Sequence, residues 1–229
     1  MMENLRLRRA RDDDLVEMGY IHYSSFPEMG GSPEERRERL LNNPLVPLEN
    51  YWVATVNHQV IGMFAQYHFR IGRGEQTLPA VGIVSVGVAP NFRRRGVAHF
   101  MMTQALEIME HNGVPLSILY PFRLPFYRKL GWGIVTRATL YKLNPQQIGN
   151  GTINGEIELV RREDQKEEVR ILYDHMAHQG LSLIVRDPVH WEEMVFPRGV
   201  TYLYRSPHGK VEGYIIISYL PLDGEERWV

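Results

Sequence analysis

Three consecutive arginines and a glycine, Arg93–Gly96, separate an apolar run from a helix-patterned one in VSVGVAPNFRRRGVAHFMM, residues 84–102. The first turn of a helix has free backbone N–H groups and a partial positive charge. Gly96 has no Cβ, so an anion can approach the main chain closely there. Arg93, Arg94 and Arg95 add positive charge, and the ensemble suits a pyrophosphate. The same residues would also serve as a solvated helix start whose glycine packs on a sheet. The loop lacks GxxxxGK[ST], which disfavours a nucleotide-phosphate site of the P-loop kind.

The elements around this segment decide what it can hold. LRLRRA (5–10) reads as a strand, and 12–26 as a helix with acids in its first turn and apolar residues at Leu15, Met18, Ile21 and Tyr23. Residues 32–42 open with Ser32, Pro33 and Glu35, which predicts an N-cap, a first-turn proline and a capping box. YWVATVN and VIGMFAQYHFRI flank His58–Gln59 as a hairpin, and PAVGIVSVGVAP (79–90) reads as a central buried strand. A helix from about Arg94 to His111 follows, with Phe100, Met101, Ala105, Leu106 and Ile108 apolar. Then come a strand at LSILY, a short helix at PFYRKL and a strand pair near 132–143. The alternation predicts an α/β fold with a mixed central sheet.

After the Asn- and Gly-rich stretch 144–156 the pattern restarts. LVRREDQ (159–165) echoes LRRARDD (7–13), and YLYRSPHGKVEGYIII echoes YWVATVNHQVIGMFAQ. Leu7 to Gly62 spans 55 positions and Leu159 to Gly213 spans 54, so a repeat is expected, its second copy lacking the arginine–glycine segment. The expected organisation is a first domain at 1–145, a linker at 146–155 and a partial second unit at 156–229. The chain ends at Val229, where the second copy would begin its apolar strand. A shortened chain, or a partner over that sheet edge, is the expectation.

Bulk properties exclude several classes. The 229 residues carry 26 Lys+Arg against 27 Asp+Glu, a net charge of −1 that gives no global pull toward nucleic acid or anionic membranes. With no cysteine, disulfides, Cys-based zinc sites and a thiolate acyl-enzyme are excluded. The N-terminus lacks a signal-peptide core and no apolar stretch is long enough to span a bilayer, so a cytoplasmic location is expected.

Arg93-x-x-Gly96-x-Ala98 after a buried strand, together with PFYRKLGWG (125–133), resembles the GNAT superfamily of acyl-CoA N-acyltransferases. SVGVAPNFRRRGVAHFMM with FYRKLGWG is more narrowly similar to the enhanced intracellular survival (Eis) family, in which two GNAT-like units precede a sterol-carrier-like domain that has no counterpart here. The resemblance covers about residues 5–143 strongly and 156–229 through the repeat. It implies that main-chain groups of Val86, Gly87 and Val88 hold a pantetheine arm. It further implies that the amides from Arg94 through Arg95, Gly96, Val97 and Ala98 to His99 hold the pyrophosphate, with Arg93 and Arg94 as countercharge. Tyr127, 31 residues after Gly96, would then protonate the departing thiolate; the alternative is a structural tyrosine beside Phe122, Phe126 and Trp132. A phenol near pKa ~10 can donate to a thiolate whose acid lies nearer ~8.5.

The implied function is direct acetyl transfer from acetyl-CoA, the cosubstrate, to a primary amine of the aminoglycoside, polyamine or lysine type. The alternative is a non-catalytic acyl-CoA-binding sensor or assembly module. No metal is expected. Asp174, His175 and His178 fall at helix spacing, but no further ligand accompanies them. Glu28 reads as a loop surface charge rather than a base. In the Eis family the general base is the terminal carboxylate of the third domain, and this chain offers no counterpart. Full-length members form hexamers, so a homo-oligomer joins the expected partners; nucleic acid and membrane do not.

Overall fold

The computed structural model describes residues 4–137, 151–179, 183–222 and 225–228, with 219–222 and 225–228 as backbone. The chain divides into two compact units, 1–71 with 77–132, and 72–76 with 133–229.

The first unit contains β1 (Arg6–Arg9), α1 (Leu15–Ser25), α2 (Pro33–Leu41), β2 (Tyr51–Val56), β3 (Gln59–Arg73), β4 (Gln76–Val88), α3 (Val97–His111), β5 (Leu116–Leu119) and α4 (Leu124–Arg128). Its strands run in the order β1-β2-β3-β4-β5. β1 and β2, and β2 and β3, pair antiparallel, whereas β5 lies parallel to β4. The sheet is mixed, as the alternation of elements predicts. Successive strand residues face opposite sides, so Val53 and Met63 join Met18, Ile21 and Leu40 on one face. Ala54 and Phe64 join Met101, Met102 and Ala105 on the other. α1 and α2 therefore cover one side of the sheet and α3 and α4 the other.

Local chemistry fixes the boundaries. Ser32 accepts from the Glu35 amide at 3.2 Å while the Glu35 carboxylate accepts from the Ser32 amide at 3.0 Å, the expected capping box. The β2–β3 turn falls one residue earlier than expected. It is formed by Asn57 and His58, whose φ values of 48° and 68° suit a two-residue hairpin turn. α3 starts at Val97, three residues beyond the expected Arg94, because Arg94 (φ 63°) and Gly96 (φ 85°) are left-handed. β4 extends back through Pro79 to Gln76; β5 first pairs at Ala80, so the missing proline amide lies just outside that register. Residues 133–137 carry no strand, and 138–143 of the expected strand pair lie outside the described residues, as does most of the 144–156 stretch.

The second unit has β6 (Glu156–Leu159), α5 (Glu163–His178), the two-residue β7 (Ile184–Val185), β8 (Val200–Arg205) and β9 (Val211–Ile217), followed by the hairpin β10 (Tyr219–Leu222) and β11 (Glu225–Trp228). The order β6-β8-β9, antiparallel throughout, reproduces β1-β2-β3. The glycines marked by the repeat hold matching positions. Gly62 pairs with Ala54 and Gly213 with Tyr204, and in each hairpin the register shifts at the next residue. Val169, Tyr173, Trp191 and Leu203 form this unit's core, with the Arg186 guanidinium 3.8 Å from the Tyr173 ring centroid.

Candidate active site

β5 pairs with β4 only from Ala80↔Leu116 to Ile83↔Leu119. Beyond that point β4 runs on to Val88 with no partner on its β5 side among the described residues. The bend comes at Ser85, whose φ of 54° is unusual inside a strand. Tyr51 of β2 is buried, and burial raises the pKa of its phenol while the nearby Asn43 and Ser85 side chains oppose that shift.

α1 reaches this stretch from the other face. A Cβ at Gly87 would lie 2.9 Å from Ile21 Cγ2 and 2.9 Å from Ser25 Oγ, so only glycine permits the helix so close. Past β4, the first backbone bond of α3 runs from the Phe100 amide to Gly96 O at 2.9 Å. The amides of Val97, Ala98 and His99 therefore have no acceptor within the helix.

These pieces enclose a cavity of about 490 Å³. Val86, Gly87, Val88, Arg93, Arg94, Gly96, Val97, Ala98 and His99 all line it, together with Ser24, Ser25 and Phe26 from the end of α1 and Phe122, Arg123 and Phe126. Two expected site residues do not. Arg95 lies with its guanidinium 5.7 Å from the Phe92 ring centroid. Tyr127 is 2% exposed, packed edge-on against Phe126 (5.0 Å), Phe122 (5.5 Å) and Trp132 (5.8 Å). Burial pushes its phenol up to about 12.

The arginines divide the work. Arg93 is engaged by the protein itself, donating to Val88 O and Ser24 O at 2.9 Å each. Arg94 and Arg123 line the cavity without a protein partner among the described residues, and the lining holds no carboxylate. In a chain with as many acids as bases, this concentrates unneutralised guanidinium groups where α3 presents its free amides. A larger groove of about 950 Å³ lies along β1 and the β2–β3 turn, but its charges neutralise one another: Arg8 pairs with Asp14 at 2.6 Å.

Phe26, Arg123 and the two serines carry no motif; only tertiary packing brings them here. Glu28 is exposed on a single 3₁₀ turn, Pro27–Met29, outside the cavity. His178 Nδ1 sits 2.7 Å from Asp174 O and His175 Nε2 2.6 Å from Gln179, and among the described residues no acid–histidine group could hold a metal. Among those residues no helix is long and apolar enough to cross a membrane.

A mixed α/β sheet whose strands β4 and β5 part beside a basic, amide-rich helix start defines an acyltransferase fold. Residues 6–135 match the sequence family described as "Acetyltransferase (GNAT) domain", and the chain belongs to that family. It is 26% identical over 198 residues to N-acetyltransferase Eis of Mycobacterium bovis, covering 80% of this chain and 48% of that relative. The chain thus spans about half the length of the curated relatives it matches. Among solved structures, a GCN5-related N-acetyltransferase from Anabaena variabilis superposes with a TM-score of 0.75 at 22% identity, covering 98% of this chain and 58% of that one. Eis1 from Mycobacterium abscessus does so with a TM-score of 0.63 at 20% identity, covering 93% and 53%. Both share the fold, and the second unit is consistent with an Eis-like duplicated fold.

Proposed function

We propose that this chain transfers an acetyl group from acetyl-CoA directly to a primary amine. The observation that carries the reading is the parting of β4 from β5 next to the unbonded amides of α3. A pantetheine arm can lie along Val86–Val88 as an extra strand, and a diphosphate can rest on the Gly96–His99 amides between Arg94 and Arg123. Bound there, acetyl-CoA would supply an activated thioester.

The chain's own residues then orient that group and manage one proton. The chain has no cysteine to carry the acyl group through a thiolate, which favours direct attack by the amine. Tyr127, with its phenol at about 12, keeps its proton across the working pH range. Because that value lies above the ~8.5 of an ordinary thiol, complete transfer to a free thiolate runs uphill. Tyr127 therefore serves best as a donor that stabilises charge developing on sulfur. Proposed acceptors are aminoglycosides, polyamines and lysine side chains.

One observation favours a second reading, a non-catalytic acyl-CoA sensor: Tyr127 packs against the cavity-lining Phe122 and Phe126 rather than lining the cavity itself. Thiol release from acetyl-CoA with a panel of those amines separates the two. Release with any of them supports the enzyme. Tight coenzyme A uptake without release supports the sensor, and no uptake overturns both.

A further inference from the structure

Ser24 and Ser25 are neighbours at the end of α1, and their hydroxyls have different fates. Ser24 Oγ donates to Ile21 O at 3.0 Å, the usual way a helical serine satisfies itself. Ser25 Oγ is buried and has no hydrogen-bond partner among the described residues. It abuts Gly87, on the stretch of β4 that has parted from β5, and Ser25 lines the cavity. A buried hydroxyl left unpaired costs free energy, and most such groups in folded proteins have a partner. Alanine at this position would be a better helix former and would carry no such cost.

We infer that Ser25 is a binding residue whose hydroxyl donates to a carbonyl oxygen on the acyl-carrier arm. The inference rests on the carrier site proposed above and adds a contact from the helix side, opposite the strand. Two carbonyl sources share this chemistry: the amides of the pantetheine arm and the thioester itself. The hydroxyl abuts Gly87, and a turn about χ1 would bring it to the cavity that Ser25 lines, beside the stretch of β4 along which that arm would lie, so either is within its scope.

The test is Ser25→Ala in the full 229-residue chain, titrated calorimetrically with acetyl-CoA and with coenzyme A, and melted without ligand. Binding is expected to weaken by about 3- to 10-fold, the worth of one hydrogen bond. The melting temperature is expected to hold or rise, because an orphaned polar group has been removed. Equal loss for both ligands places the bond on a pantetheine amide; loss for acetyl-CoA alone places it on the thioester. Unchanged affinity for both, or a melting temperature lowered by more than about 2 °C, overturns the inference. If the unaltered protein binds neither ligand, the carrier site itself falls, which Ser25→Ala alone would not show.

Discussion

Arg93 bridges the ends of α1 and β4: its Nη2 donates to Ser24 O, 69 residues back in sequence, and its Nε to Val88 O, each at 2.9 Å. The group reads in the sequence as countercharge, and in the fold it is a fastener. Arg93→Met is expected to cost about 1–2 kcal/mol, since two charge-assisted bonds at an exposed site are lost. Arg93→Lys should recover little, because an ammonium cannot span both carbonyls as the planar fork does. Thermal melts of both variants decide this. A lysine variant as stable as the parent would mean that charge alone matters.

Tyr127→Phe is expected to lower turnover at least about 100-fold, within the range for loss of a positioned proton donor. Affinity for coenzyme A should stay within about 2-fold. Burial disfavours the phenolate, which raises the pKa above its ordinary value, so the proton is held until pH nears 12. Any alkaline fall in rate below about pH 11 must then survive in the phenylalanine variant's residual activity. Steady-state kinetics across pH checks both statements, and undiminished turnover would remove Tyr127 from the chemistry.

Two glycines at the cavity should fail for opposite reasons. At Gly87 an added Cβ collides with the branched Ile21 side chain, so Gly87→Ala is expected to destabilise by about 1–3 kcal/mol. At Gly96 the space is open and the penalty is backbone strain at φ 85°, about 1–2 kcal/mol for a non-glycine residue. Denaturant melts give the two costs, and calorimetry should show the Gly96 variant losing the greater share of carrier affinity per unit of stability lost.

His22 is buried, its Nδ1 has no partner, and burial with the nearby Arg36 and Arg39 charges lowers its pKa to about 4. The folded state therefore favours the neutral ring. Its stabilising share is complete above the ordinary value of 6.5 and is lost as pH falls toward 4. Melting temperature should drop more steeply between pH 6.5 and 4 in the parent than in His22→Gln. Parallel curves would show that His22 does not contribute to acid sensitivity.

Much of the first unit is legible in its sequence because the signals are local. Ser32–Glu35 announces a capped helix, the apolar alternation announces β2 and β3, and the 55- and 54-residue spacings announce a duplicated strand–helix–hairpin. The arginine–glycine segment likewise marks where the cavity forms. What stays hidden depends on contacts distant in sequence. Ser85 looks like any strand serine, yet its backbone takes a positive φ of 54° just past the last β4–β5 pair. Nothing near Ser25 or Arg123 says that α1 and the start of α4 meet the end of β4. Arg93 shows the converse: a motif position names a charge, but only packing shows which carbonyls take it.

Among the described residues, 84–88 leave one margin of the sheet without a neighbour, and such a margin is indifferent to who completes it. A ligand arm is one candidate; an extended segment from a second molecule is another. Saturating coenzyme A is therefore expected to lower light scattering by concentrated protein, and equal scattering with and without it would show that this margin does not pair between molecules. An opening shaped to admit a ligand arm would equally admit another copy of the chain.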